Sequence, residues 1–177
     1  MTLYKICTPI EYSSEAWQKY CAWRERTFAD FASLDSHLRD SHFTVEDDDD
    51  WNYVLTNGSY LTDIVNDLAF ALRCSHRYGN TEILSFAFLE HEDPTRKILG
   101  YDILDSEFGY SLLTNFGNDI EIVNDNLADN GLVLQKEVAL AVYQWFKDNM
   151  TDDAHVCDSR VFTVYETIAQ QESEPDF

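Results

Sequence analysis

Basic residues are scarce in this sequence, and familiar catalytic motifs are absent from it. Only 12 lysines and arginines stand against 33 aspartates and glutamates, which gives a formal net charge of -21 over 177 residues. The chain has no G-x-S-x-G elbow, no G-x-G-x-x-G fingerprint and no P-loop, and His91-Glu92 lacks the second histidine of an H-E-x-x-H motif. These absences argue against a familiar enzyme, and the charge argues against direct binding of nucleic acid.

Long apolar runs, interdomain linkers and clustered cysteines are missing as well. No run approaches the roughly 18 apolar residues that cross a bilayer, and residues 1–6 lack the apolar core of a signal peptide. An anionic surface is also repelled by anionic lipid, so no membrane partner is expected. We therefore expect a single globular domain over residues 1–169 in a reducing cytoplasm, followed by an acidic flexible tail over residues 170–177. The four cysteines are too widely spread for a disulfide scaffold: Cys7, Cys21, Cys74 and Cys157.

Aromatic residues, by contrast, are abundant. The chain has 11 phenylalanines, 10 tyrosines and 4 tryptophans, and 45% of its residues are hydrophobic. Disordered acidic chains are poor in aromatic residues, because aromatic burial is what offsets the entropy lost on folding. The composition therefore predicts a packed core beneath an acidic surface. Trp23 lies off the apolar stripe that begins at Trp17, which makes it the candidate for an exposed aromatic anchor.

The hydrophobic periodicity predicts an α+β fold, with a small β-sheet and a central hairpin covered by about four α-helices. Apolar runs predict strands over residues 2–7, 82–89, 97–104 and 160–165. The two middle runs flank Asp93-Pro94-Thr95, and this turn signal predicts that they form the hairpin. Helical spacing predicts four helices: from about Ser14, and over residues 60–78, 119–128 and 134–149. The pattern does not set the strand order.

The acidic residues are densest from Glu46 to Asp50, directly before Trp51. Unbalanced charge costs a folded protein self-repulsion, which favours a basic partner. Carboxylates can take the place of phosphates in an arginine-rich and lysine-rich cleft, and tryptophan is enriched at binding hot spots. The alternatives are a solvated loop that only maintains solubility and a tryptophan folded into the core. The residues predicted to bind a partner are Asp47, Asp48, Asp49, Asp50, Trp51, Asp102, Asp105 and Glu107.

Charge density decides how far the chain could imitate DNA. A protein of this size exposes roughly 9,000 Å², so its net charge averages about one per 400 Å². Duplex DNA carries about one charge per 100 Å². Imitation would therefore require the acids to be concentrated on one face. Two further acidic clusters could contribute: Glu90-Glu92-Asp93 and Asp119-Glu121-Asp125.

Two cysteine–histidine pairs, Cys74-Ser75-His76 and His155-Val156-Cys157, raise the question of a metal. On strands, each pair would present both side chains on one face, and four such ligands could hold zinc. However, C-x-H is not a standard structural spacing, and Cys74 falls near a predicted helix end, so we predict no metal and no cofactor. Cys157 and His155 could also serve as nucleophile and base, which leaves an enzyme of unfamiliar type as an alternative. We predict no catalytic residues.

The chain is small and acidic and lacks catalytic motifs. It also contains the segment Gly100-Tyr101-Asp102-Ile103-Leu104-Asp105 to Ser111-Leu112-Leu113-Thr114-Asn115-Phe116-Gly117. In these features the chain resembles bacterial toxin-immunity proteins of the contact-dependent and polymorphic-toxin type. The resemblance implies a cytoplasmic, non-enzymatic inhibitor that binds and blocks a basic toxin or nuclease. It assigns no role to any single residue. DNA-mimic proteins that act against restriction or CRISPR nucleases share these properties and form the second alternative.

Overall fold

The structure is a computed structural model, and it describes residues 1–39, 64–116 and 120–168. Within these residues, six helices accompany one sheet of five strands. The strands are β1 (Leu3–Cys7), β2 (Ile64–Val65), β3 (Glu82–Phe88), β4 (Ile98–Leu104) and β5 (Arg160–Ile168). The helices are α1 (Glu15–Trp23), α2 (Leu68–Tyr78), α3 (Leu112–Asn115), α4 (Glu121–Asn126), α5 (Lys136–Asn149) and α6 (Ala154–Cys157). The strand order is β2-β1-β3-β5-β4 with every pair antiparallel, which confirms the predicted α+β class.

The predicted hairpin between β3 and β4 is wrong, because β5 lies between them and pairs with both. Phe162 of β5 is opposite Phe88 on one side and Asp102 on the other. Residues 161–165 are all buried, as expected for a strand in the middle of a sheet. The Pro-containing turn does form, but the chain that holds it crosses over β5 instead of folding back beside β3.

The crossover segment, residues 89–97, is fixed to the sheet by polar contacts. The Asp93 N–H donates to the Tyr165 hydroxyl at 2.8 Å, and the Arg96 guanidinium lies 4.2 Å from the centre of the Tyr165 ring. Glu92 accepts hydrogen bonds from Thr163 Oγ1 at 2.9 Å and from Lys136 Nζ at 3.3 Å. Burial works against ionisation of Glu92, but these hydrogen bonds lower its pKa below the ordinary value.

Capping explains where the longer helices begin. The Ser14 hydroxyl accepts the Trp17 N–H at 3.2 Å, so α1 starts where the sequence predicts. The second helix starts later than predicted, because its cap is Asp67, whose carboxylate accepts the Phe70 N–H. The apolar residues before that cap, Ile64 and Val65, pair with β1 instead.

The short helices α3 and α6 were not predicted, because four-residue helices are too short to show a periodicity. The acidic run before Trp51 and the predicted tail over residues 170–177 lie outside the described residues.

Helices α2 and α5 pack on the same face of the sheet. Ile83 packs with Phe70 of α2, and Val161 packs with Phe146 of α5. The opposite face is covered by the segment after α1 and by the turn after β4, since Leu34 and Phe108 pack there against Phe86, Phe162 and Val164. This second face also buries the charged residues Lys5 and Asp102.

Candidate functional site

Asp47, Asp48, Asp49, Asp50 and Trp51 lie outside the described residues, so the structure does not relate them to the rest of the predicted site. Asp102, Asp105 and Glu107 are described, and they lie at the end of β4 and in the turn that follows it. Their side chains are in three different environments.

Asp102 belongs to the core and not to a surface, because it is 0% exposed. One carboxylate oxygen accepts from the Ser33 hydroxyl and the Leu34 N–H, each at 2.9 Å. The other accepts from the Ile103 N–H at 2.9 Å and from the Ser111 hydroxyl at 2.5 Å. Burial raises the pKa of Asp102 above its ordinary value, and the hydrogen bonds oppose that shift. These contacts join β4 to the chain segment that covers it, which is a structural task.

A second buried carboxylate continues this polar network. Asp35 is 0% exposed and accepts the Ser111 N–H at 2.8 Å and the Thr114 hydroxyl at 3.2 Å. Its other oxygen accepts the His37 N–H at 2.8 Å. Ser111 therefore bonds to two buried aspartates, through its N–H to Asp35 and through its hydroxyl to Asp102.

Asp105 is also largely buried, and it holds the turn after β4. Its carboxylate accepts the N–H groups of Gly109 at 3.1 Å and Tyr110 at 3.2 Å, and it lies 3.0 Å from His155 Nδ1. The Tyr110 ring stacks on the His155 ring with centres 4.0 Å apart. Of the three described acids predicted to bind a partner, Glu107 alone has an exposed side chain.

The acidic excess nevertheless remains at the surface. Among the described residues, the buried cations are Lys5, Arg24 and Arg39, and the buried carboxylates are Asp35, Asp102 and Asp105. Among these residues, folding thus removes equal numbers of each sign from the surface. The described part of the chain therefore keeps its excess of acids at the surface.

Exposed acidic side chains meet a half-buried tryptophan in a cleft between α4 and α5. This α4–α5 cleft has a volume of about 450 Å³ and is lined by Glu121, Ile122, Asp125 and Asn126 of α4 and by Trp145 of α5. No lysine or arginine lines it. In the part of the chain that the structure covers, neither Glu121 nor Asp125 is ion-paired.

Helical periodicity explains how these side chains come to face the cleft. Val123 is fully buried and anchors α4, so Glu121 and Asp125, four residues apart, share its outward side. In α5, Phe146 is fully buried, whereas Trp145 is half-buried and stands at the edge of the core. The sequence indicates the acids of α4 as a cluster, but no signal in it places them beside Trp145.

The cleft has the chemistry to hold one basic side chain. A guanidinium stacks on an aromatic face and forms charged hydrogen bonds with carboxylates, and Trp is the strongest aromatic partner for a cation. Each exposed ion pair contributes at most about 1 kcal/mol, so the aromatic contact would supply much of the affinity. The carboxylates would act mainly on the rate and specificity of association.

The cysteine–histidine pairs do not share a strand. Cys74 and His76 belong to α2, and His155 and Cys157 belong to α6. In a helix, residues two apart do not face one another, and Cys74 is buried among apolar side chains. Across residues 1–39, 64–116 and 120–168, no three His, Cys, Asp or Glu side chains form a group that could hold a metal ion.

No protein-family model, curated protein or solved structure matches the chain. None of the described helices combines the length and the apolar character needed to cross a bilayer.

Proposed function

We propose that this protein is a non-enzymatic, cytoplasmic inhibitor that binds and blocks a basic toxin or nuclease, as immunity proteins do. The observation that carries the proposal is the α4–α5 cleft, where the carboxylates of Glu121 and Asp125, which form no ion pair with any described residue, adjoin the half-buried ring of Trp145. The net charge of -21 on the whole chain would attract cations to the protein.

Association would proceed in two stages. The net charge first raises the rate of encounter with a basic surface, by roughly 10 to 1,000-fold at low salt. A lysine or arginine of the partner then enters the cleft, where its charge meets Glu121 and Asp125 and its apolar stem packs against Trp145. Blocking follows when the lysines and arginines that would hold the phosphates of a nucleic acid are covered.

The proposal does not use every acid that the sequence indicates. Asp102 and Asp105 are engaged inside the fold, so within the described chain they offer no continuous row of phosphate-like charges together with Glu107. This arrangement favours capture of one specific partner over imitation of duplex DNA. Asp47 to Asp50 and Trp51 stay in the proposal as a second contact region, on their sequence alone.

The test is a comparison of two baits in the native host lysate at low salt. The first bait is the wild-type chain, and the second carries Glu121→Gln, Asp125→Asn and Trp145→Ala. We expect a basic protein to be retained by the wild type and lost from the triple variant. The purified partner should then show an activity, on nucleic acid or on cells, that stoichiometric wild-type protein abolishes.

A control bait separates the cleft from net charge. Glu11→Gln with Asp152→Asn removes the same number of negative charges, but at exposed positions that do not line the cleft. It should retain the partner. Equal retention by the triple variant would contradict the role of the cleft. Inhibition of several unrelated nucleases in competition with duplex DNA would instead support a DNA mimic, and a partner without a basic surface would overturn the proposal.

A further inference from the structure

A second cavity, away from the residues of the α4–α5 cleft, has a different chemistry. It measures about 470 Å³ and lies where the C-terminal half of α5, the end of α6 and the start of β5 meet the turn after β4. We call it the phenylalanine cavity, because Phe88, Phe108 and Phe162 line it together. Its volume falls in the range of small-molecule sites.

The three rings pack together at the cavity, where Phe88 is half-buried and Phe108 and Phe162 are buried behind it. The centres of the Phe88 and Phe162 rings are 4.9 Å apart, and those of Phe108 and Phe162 are 5.5 Å apart. Phe108 has a backbone φ of 58°, a left-handed conformation that bulky residues rarely adopt. The Asp105 carboxylate holds that turn by accepting the next two N–H groups, from Gly109 and Tyr110. The turn thus fixes the Phe108 ring beside the other two.

Two cations line the same cavity, and neither is neutralised by a carboxylate of the described chain. The Arg160 side chain is exposed, with its guanidinium 5.5 Å from the centre of the Phe88 ring. Lys147 Nζ donates to the carbonyl oxygens of Val156 at 2.6 Å and Cys157 at 2.7 Å, which are neutral acceptors. The other partly or fully exposed lysines each pair with a glutamate: Lys19 with Glu15, Lys97 with Glu166 and Lys136 with Glu92.

Two carboxylates also line the cavity, and their contacts differ. Asp105 accepts hydrogen bonds from the two turn amides and lies against His155. Asp158 is exposed and borders the cavity without an ion pair among the described residues. The lining therefore holds two cations and two acids, and the cations differ from the acids in lying beside the Phe88 and Tyr143 rings.

We propose that the phenylalanine cavity binds a small organic anion, with a carboxylate near Arg160 and Lys147 and an aromatic or branched aliphatic body against the accessible part of the Phe88 ring. Arginine matches the geometry of a carboxylate, and the Phe88 ring beside it supplies an apolar surface for the body of the ligand. The cavity does not share a residue with the α4–α5 cleft, so this inference is independent of the proposed inhibitor function.

The test uses 3-phenylpropionate as the probe and 3-phenylpropan-1-ol as its neutral match. In a titration followed by amide NMR of the full chain, we expect saturable shifts for residues 105–108 and 157–160. The alcohol should bind about tenfold more weakly, which corresponds to the loss of one good charged contact. Arg160→Gln should weaken binding of the carboxylate by a similar factor and leave binding of the alcohol unchanged.

Two controls keep the result interpretable. Arg73→Gln removes the same charge from the exposed side of α2 and should leave the affinity for phenylpropionate unchanged. Cys157 is exposed and lines the cavity, so bound phenylpropionate should slow its alkylation by iodoacetamide. Equal binding of the alcohol, tighter binding of 2-phenylethylamine, or no saturation by about 10 mM would overturn the proposal.

Discussion

Replacing Asp102 by asparagine tests how the fold holds a buried carboxylate that has no basic side chain among its hydrogen-bond partners. Each carboxylate oxygen accepts one backbone N–H, from Leu34 or Ile103, and one serine hydroxyl, from Ser33 or Ser111. The hydroxyls can rotate and act as acceptors instead. The backbone N–H groups cannot, so either orientation of an asparagine amide turns its NH₂ toward one of them.

The expected cost follows from that mismatch. One buried N–H is left without an acceptor, which costs about 1 to 3 kcal/mol of unfolding free energy. Removal of the buried charge offsets part of this cost, because burial disfavours the ionised form of Asp102 and so raises its pKa. We expect a net destabilisation of about 1 to 2 kcal/mol at neutral pH.

The pH dependence gives the prediction a sign. A carboxyl group whose pKa is higher in the folded state than in the unfolded chain binds its proton more tightly when folded. Its stabilising contribution is complete below the ordinary value of 3.8 and is lost as the pH rises through the raised folded value. The protonated acid can donate to a serine hydroxyl while both oxygens still face the backbone N–H groups. The free energy of unfolding of the wild type should therefore exceed that of the variant by a larger amount as the pH falls.

The assay is urea denaturation of wild type and Asp102→Asn, followed by tryptophan fluorescence at several pH values from 7 downward. The difference between the two proteins isolates Asp102 from the other carboxylates. Asp93→Asn is the control of opposite sign. Hydrogen bonds from Thr95 lower the pKa of the Asp93 carboxyl, so the stability of this variant relative to the wild type should rise slightly as the pH falls. The reasoning would be refuted if Asp102→Asn were as stable as the wild type at every pH, or if the difference in unfolding free energy between them became smaller as the pH falls.

Two further predictions concern the packing of the fold. Gly131→Ala should cost about 2 to 4 kcal/mol of unfolding free energy, because φ is +80° there and a Cβ would lie 2.4 Å from Cε2 of the buried Phe31 ring. Gly79→Ala, with φ of +68° and no atom within 4 Å of the added Cβ, should cost only the backbone strain, about 1 to 3 kcal/mol, and so less than Gly131→Ala, which adds the clash with Phe31. Equal urea midpoints for the two variants would contradict this. Arg24→Met should destabilise by about 2 kcal/mol, since Arg24 is 4% exposed and donates to the Phe116 carbonyl at 2.6 Å; an unchanged melting temperature would contradict that contribution.

Local chemistry made the elements of this fold predictable, whereas their pairing depends on residues far apart in the chain. Ser14 and Gly79 mark helix ends through their own hydrogen bonds and backbone freedom, and both positions are confirmed. The insertion of β5 between β3 and β4 joins residues more than 50 positions apart. Two apolar runs around a turn look the same whether they pair or are separated by a third strand.

The candidate site also depends on contacts between residues that are far apart in the chain, which the sequence does not reveal. The sequence counts Asp102 and Asp105 as surface acids, because spacing alone does not reveal that Ser33 and His155 lie against them. The α4–α5 cleft needs two helices to approach, and only coordinates bring Asp125 to Trp145. The charge of the chain predicts a basic partner, and the α4–α5 cleft is where we propose that one basic side chain of that partner is held.

The kinetics of capture test the central claim most directly. With the partner in hand, association would be measured by stopped flow over a series of salt concentrations, for the wild type, for Glu121→Gln with Asp125→Asn, and for Glu11→Gln with Asp152→Asn. We expect association with the wild type to slow steeply as salt rises, and the cleft variant to associate about five to tenfold more slowly at low salt with a shallower salt slope. The association rate of the control variant should remain within about twofold of the wild-type rate. A wild-type rate that does not change with salt, or the same loss in both variants, would contradict the account.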